Sequence, residues 1–375
     1  GRGSAVAMER SKVHLKGDIP CHCYCTNCTS AAKGPRPQPL AAHESAGHRN
    51  ERANPIRDVF APLVLCNLIV KACVMTFDHR TAAIGLGSMV YGIAQSCLAA
   101  GHRTYGYDVN PDQSARFAAE GGAPGALSEV ASTLDAVIVV VLNAAQTESV
   151  LFGEDGVVPR MRKGAVVMAC ATVPPEFARK MESACAGYGV HYLDAPISGG
   201  SVKAAQGALS VMAAGTPEAF AAAREVLKAT ATTVFELGDQ AGPGSAMKAV
   251  NQLLAGVHIA TMAEALTFGM TQGVAPDQFV EVISKCAGSS WMLENRAPHI
   301  VEGDYTPHSS VNIWPKDLGI VLNIAKSASF AAPITAAALQ QFVAAAGMGL
   351  GGEDDAAVAK VYARNAQLTL PGEET

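Results

Sequence analysis

The stretch TAAIGLGSMVYGIAQSCLAAGHRTYGYD, residues 81–108, decides the fold. Thr81–Ile84 is a short apolar run of the kind that forms a strand. It passes straight into Gly85-Leu86-Gly87 and then into an amphipathic segment, 88–100, that closes at Gly101. A second run, Thr104–Tyr107, ends on Asp108, 23 positions after Gly85. Strand, glycine turn, helix, strand and terminal acid are the parts of a dinucleotide site. The first glycine makes the tight turn. The second lets the backbone approach a diphosphate at the positive end of the helix. Gly85, Leu86, Gly87, Ser88 and Met89 would form this cradle, and Asp108 would accept hydrogen bonds from the adenosine ribose. A carboxylate in that place repels a 2′-phosphate, so the expected cofactor is NAD rather than NADP. The third glycine of the pattern should fall at 90, where Val90 stands instead. A β-branched side chain there is expected to push the helix outward or weaken cofactor binding, and Gly92 does not restore the spacing.

Working outward, apolar runs at Ala136–Leu142, Ala165–Ala169 and Val190–Leu193 alternate with helical segments such as 111–120 and 174–187. Short strands alternating with helices predict βαβ units and a parallel sheet. The run AVIVVVL at 136–142 has no polar alternation, as expected of a strand buried on both faces. After Ala241 the strand signals stop. Gly242-Pro243-Gly244-Ser245 breaks the chain, and Met247, Val250, Leu253, Leu254, Val257, Ile259 and Met262 then recur at helical spacing. Further helices are predicted at 276–287, 315–327 and 333–346. The expected fold class is α/β: a Rossmann-type doubly wound sheet domain over 75–239, followed by an all-α domain over 240–370. The cleft between them is the expected place for a substrate.

The 375 residues are 49% apolar and 16% charged, enough to bury a large core and too little charge for a disordered chain. The net charge of −5 and the 6% aromatic content argue against a nucleic-acid partner. Residues 1–74 differ from the rest: they carry a net +5 against −10 for the remainder, and six of the ten cysteines. Cys21, Cys23, Cys25 and Cys28 crowd together, but no second ligand pair follows at zinc-site spacing. The apolar run Val59–Val70 is shorter than a bilayer span of about 20 residues. Residues 1–74 are read as a disordered or non-native extension, with Met75 as the natural start. Scattered cysteines elsewhere fit a reduced, cytoplasmic protein without a membrane partner.

Lys248 and Asn251 sit three apart on the long helix and share a face. Such a lysine is either a snorkelling surface residue or an acid/base whose pKa is lowered by burial and a nearby cation. Lys316-Asp317 carries the same ambiguity. His258, Trp291 and Trp314 read as packing residues.

Four strings, in order, resemble the β-hydroxyacid dehydrogenases, the family of 3-hydroxyisobutyrate dehydrogenase: GLGSM at 85–89, DAPISGG at 194–200, GSAMKAVNQ at 244–252 and KDLG at 316–319. The resemblance covers roughly 80–370. It implies that Lys248 is the catalytic acid/base, that Ser198, Gly199 and Gly200 bind the substrate carboxylate, and that Asn251 orients the substrate. It also implies that Thr172 contacts the cofactor and that Lys316 sits at its nicotinamide end. Backbone N–H groups at a glycine-rich turn suit a carboxylate. Segments outside these motifs, such as NAAQTESVLFGEDG at 143–156 and GSSWMLENRAPHI at 288–300, are similar to family members that act on a four-carbon sugar acid. The expected activity is therefore NAD-dependent oxidation of such an acid, with Asn143, Ser290, Asn295 and His308 as candidates to meet its hydroxyls. Another short hydroxy acid is the alternative substrate, and a catalytically silent nucleotide-binding protein is the alternative class. The resemblance also implies a homodimer or homotetramer.

Overall fold

The computed structural model of the protein describes residues 78–373. The cysteine cluster Cys21–Cys28, the run Val59–Val70, Met75 and the reading of 1–74 as an extension lie outside the described residues.

Five parallel strands form the main sheet: β1 (Arg80–Ile84), β2 (Arg103–Tyr107), β3 (Ala136–Val139), β4 (Val166–Ala169) and β5 (His191–Asp194), in the order β2-β1-β3-β4-β5. The chain moves to one side of β1 for β2 and to the other side for β3. That reversal opens a crevice beyond the carboxyl ends of β1 and β3, where α/β sheets bind ligands. Helices α1 (Ser88–Ala99), α2 (Pro111–Ala119), α3 (Leu127–Val130), α4 (Ala144–Phe152) and α5 (Pro175–Ala186) connect the strands. Alternate residues of β3 and β4 feed two separate cores. Val137, Val139 and Val167 lie in one, and Ala136, Ile138, Val166 and Met168 in the other. The two-sided burial expected of the 136–142 run is present as far as Val139. Beyond it Leu142 is exposed, because the chain has left the sheet.

Past β5 the chain builds a small second sheet that the sequence reading did not anticipate. It holds β6 (Ile197–Ser198), β7 (Leu209–Ala213) and β8 (Ala231–Glu236), with β6 antiparallel and β8 parallel to β7. Helices α6 (Gly200–Ala205) and α7 (Pro217–Thr230) lie between these strands in sequence. The helical half follows as α8 (Pro243–Thr271), α9 (Pro276–Ile283), α10 (Trp291–Glu302), α11 (Ile313–Ser327), α12 (Pro333–Gly347) and α13 (Ala359–Ala366). Helix α8 is long and apolar enough to cross a membrane by composition alone. Here it is a core helix: Ile259, Met262, Ala263 and Leu266 are buried where α10, α11, α12 and α13 pack around it. Trp314 stacks on Phe342 in that core, as expected of a packing residue, whereas Trp291 is exposed.

Val90 packs into the interface of α1 with the sheet rather than standing open to solvent. Its side chain is buried with Ala83, Leu86, Ala94 and Phe117, so the small partner sits on the strand, at Ala83. The glycine that close packing requires is Gly92. A Cβ there would stand 2.6 Å from the Ala205 backbone nitrogen and 2.9 Å from the Ala204 carbonyl carbon, where α6 crosses α1. Backbone cannot rotate aside as a side chain can. Gly92→Val is therefore expected to destabilise the fold by about 2–3 kcal/mol, the cost of overpacking, read as a lower urea midpoint at unchanged m-value.

Candidate active site

The glycine turn is built as a phosphate cradle requires. Gly85 has φ +94°, and a Cβ there would lie 2.5 Å from the Val140 carbonyl oxygen, so only glycine fits. A Cβ at Gly87 would meet nothing within 4 Å, which leaves the approach open. No side chain caps α1 and no acid stands in its first turn, so the amides of Ser88, Met89 and Val90 are free to meet an anion. Asp108 follows β2. Its Oδ1 accepts from the Asn110 amide at 2.8 Å, leaving the other oxygen for a donor such as a ribose hydroxyl. Val109 beside it is fully exposed and offers an apolar face for an adenine, a feature the sequence reading missed. These residues fit a dinucleotide. Thr172 lies three residues beyond β4, half-buried, at the same edge of the sheet.

The second half of the site is set by Asp194, the last residue of β5, which is 1% exposed. Its Oδ2 accepts from the amides of Gly242 and Ser245, both at 2.9 Å, and its Oδ1 accepts from Ser245 Oγ at 2.6 Å. This carboxylate takes up the unpaired donors at the start of α8. Burial raises its pKa despite these three bonds. At Gly244, a Cβ would stand 2.5 Å from the Met212 carbonyl oxygen and 2.6 Å from that of Asp194. The first turn of α8 is thus pressed against β5 and β7, and every later residue of the helix takes its position from that contact.

One turn on, Lys248 is brought to the DAPISGG segment. Its Nζ donates to the Ile197 carbonyl oxygen at 2.8 Å, next to Ser198. Burial lowers its pKa to about 8; Lys316 adds to that shift and Asp317 opposes it. Its amine is thus bonded to the backbone of the DAPISGG segment rather than held out in solvent as a snorkelling lysine would be. Gly199 and Gly200 both hold positive φ, +137° and +75°, and a Cβ at Gly200 would meet nothing within 4 Å. Lys248 and the turn Ser198–Gly200 therefore stand together.

Lys316, on α11, reaches back to the sheet. Its Nζ donates to the Leu142 carbonyl oxygen at 2.7 Å, just past β3, and lies 2.8 Å from Asp317 Oδ1. The latter contact is close but not aligned as a hydrogen bond, so it acts as charge pairing. Asp317 is 2% exposed, and its Oδ2 accepts from Gln252 Nε2. Gln252 Oε1 in turn accepts from Asn251 Nδ2 at 2.9 Å. Asp194, Gln252 and Asp317 were given no role by the sequence reading, although all three lie inside the recognised motifs.

Each of the four candidates for reading substrate hydroxyls also makes a local contact. Asn143 Oδ1 caps α4 by accepting from the Gln146 amide, and Ser290 Oγ caps α10 by accepting from the Leu293 amide. The Asn295 carbonyl accepts from the Arg296 guanidinium. His308 donates its amide to Asp354 and packs its ring edge-on against His299.

A cradle for a dinucleotide and a lysine of lowered pKa beside a glycine turn define an NAD-dependent dehydrogenase. Residues 80–238 match the NAD binding domain of 6-phosphogluconate dehydrogenase, and residues 242–362 match the NAD-binding region of NADP-dependent 3-hydroxyisobutyrate dehydrogenase. The chain is 48% identical to an L-threonate dehydrogenase of Cupriavidus necator over 79% of its own length and 99% of that protein. It is 35% identical to a 3-hydroxyisobutyrate dehydrogenase of Pseudomonas aeruginosa, over 70% of this chain and 90% of that one. Among solved structures, one described as 3-hydroxyisobutyrate dehydrogenase from Salmonella typhimurium is 45% identical, with a TM-score of 0.72, covering 76% of this chain and all of that one. The chain belongs to the β-hydroxyacid dehydrogenases, the family of 3-hydroxyisobutyrate dehydrogenase. Its cofactor is NAD, as the first matched domain is described; the description of the second names an NADP-dependent enzyme.

Proposed function

We propose that this enzyme oxidises the C2 hydroxyl of L-threonate to 2-dehydro-L-erythronate, with Lys248 as acid/base. The observation that carries the chemistry is the Lys248 amine, lowered to about 8 and held 2.8 Å from the Ile197 carbonyl beside Ser198. Bound NAD supplies the hydride acceptor. Neutral Lys248 takes the hydroxyl proton in oxidation, and its protonated form returns it in reduction. Ser198, Gly199 and Gly200 hold the substrate carboxylate, Asn251 orients the substrate, and Thr172 and Lys316 line the cofactor side. The substrate assignment draws on relatives at 44–48% identity that bear the name L-threonate dehydrogenase. Residues 75–239 and 240–370 serve as cofactor and helical domains of a cytoplasmic enzyme. Exposed Val250, Leu254, Phe268 and Ile334 on the helical half suit a homodimer or homotetramer.

The Salmonella structure described as 3-hydroxyisobutyrate dehydrogenase supports a second reading at nearly the same identity. A panel of L-threonate, 3-hydroxyisobutyrate and glycerate, followed by NADH absorbance with NAD and NADP side by side, separates the two. The expected result is a kcat/KM at least about tenfold higher for L-threonate with NAD, one hydrogen bond's worth of discrimination. A signal from 3-hydroxyisobutyrate alone would overturn the assignment.

A further inference from the structure

We infer that Asp317, acting through Gln252, fixes the hydrogen-bond polarity of Asn251, so that Asn251 offers its carbonyl oxygen to a second hydroxyl of the substrate. The inference rests on the placing of Asn251 at the substrate and assigns new positioning roles to two residues behind it.

The argument follows from what each group can donate. Asp317 is buried and lies 2.8 Å from the Lys316 ammonium, so it faces Gln252 as an acceptor. Gln252 must therefore turn its NH₂ toward Asp317, as its Nε2 to Oδ2 contact shows. Only its Oε1 is then left for Asn251. Asn251 must meet that oxygen with its own NH₂, as the 2.9 Å bond from Nδ2 shows. An amide flip at either residue would set acceptor against acceptor or donor against donor beside the buried Gln252 and Asp317 side chains. The Asn251 oxygen, free of any partner among the described residues, is what remains to offer. An amide oxygen repels a carboxylate and accepts from a hydroxyl. Lys248, one turn away on the same helix face, takes the proton of the reacting hydroxyl. Asn251 then reads a neighbouring one, so the site selects acids with two adjacent hydroxyls over those with one.

Asp317→Asn tests this. Asn at 317 would keep its oxygen toward Lys316 and turn NH₂ toward Gln252, so both amides invert and Asn251 presents NH₂ instead. The expected result is a preference for L-threonate over its 3-deoxy analogue, 2,4-dihydroxybutanoate, reduced by about 10–100-fold, with NAD affinity unchanged in a fluorescence titration. Adding Gln252→Glu restores an acceptor at 252 and with it the original direction, so the double variant should regain the preference. A purely structural role for Asp317 predicts no such rescue. Should Asp317→Asn fail to fold, Gln252→Met cuts the chain while leaving the Asp317–Lys316 pair, and the same loss is expected.

A second readout does not need turnover. With ¹⁵N-labelled asparagine, the Asn251 side-chain NH₂, assigned by its loss in Asn251→Asp, should exchange slowly in the wild type, faster in Asp317→Asn and slowly again in the double variant. Equal exchange in all three overturns the inference. Wild-type enzyme inactive on every acid overturns the substrate reading alone and leaves this result standing.

Discussion

Lys248→Ala lowers turnover by about 10³-fold, the range of a general acid/base, while NAD still binds. The separation is expected because Lys248 reaches the Ser198–Gly200 side of the site, whereas the nucleotide cradle is built from α1 and β2. A fluorescence titration of NAD alongside the rate measurement checks both halves. An unchanged rate would return Lys248 to a structural role and favour the silent nucleotide-binding alternative. The same residue sets the pH dependence. Oxidation needs the neutral amine, so kcat/KM should rise with pH and level off above about 8. Reduction needs the protonated amine and should fall over the same interval. The Lys316 charge helps lower that pKa, so Lys316→Met should move both limbs to higher pH.

Asp194→Ala carries the largest expected loss of stability. It leaves the Gly242 and Ser245 amides and the Ser245 hydroxyl without their acceptor, at a place that is 1% exposed. Buried donors left without a partner cost about 1–3 kcal/mol each, and partial relaxation brings the sum to about 3–5 kcal/mol. For a chain of this size that corresponds to a fall of about 6 °C in Tm, measurable by calorimetry. Activity should fall further than stability requires, because the start of α8 sets where Lys248 arrives. Asp194→Asn should recover only part of the loss: its amide NH₂ would face an amide that also donates. A Tm within 1–2 °C of the wild type, the size of a neutral surface change, would show that α8 is anchored elsewhere.

The sheet was legible because its signals are local. A glycine turn between a strand and a helix, and runs such as Ala136–Val139 with no polar alternation, state their burial in a few residues. The second sheet was not legible, because β6 has only two residues and β8 is largely exposed, so neither shows a period. Helix α10 was hidden by Pro298 in its interior. Val90 packs over the small Ala83 of β1, while Gly92 makes room for α6 and not for the sheet. The residues of the site were named from motifs, but their supports were not. Asp194 acts across 48 and 51 positions and Asp317 across 65, and no periodicity carries information over such a span. Asn143 and Ser290 show the opposite case. They carry a local signal, a polar residue opening a helix, and each caps the helix it opens.

Asp194–Gly200 is seven residues long and has three obligations. Its first residue moors the long helix, its fourth lends a carbonyl to the amine, and its last three form the turn proposed to hold the substrate acid. A one-residue insertion there would cost anchor, proton and anion together. A shift of substrate at such a site would therefore have to come from residues outside this short ribbon.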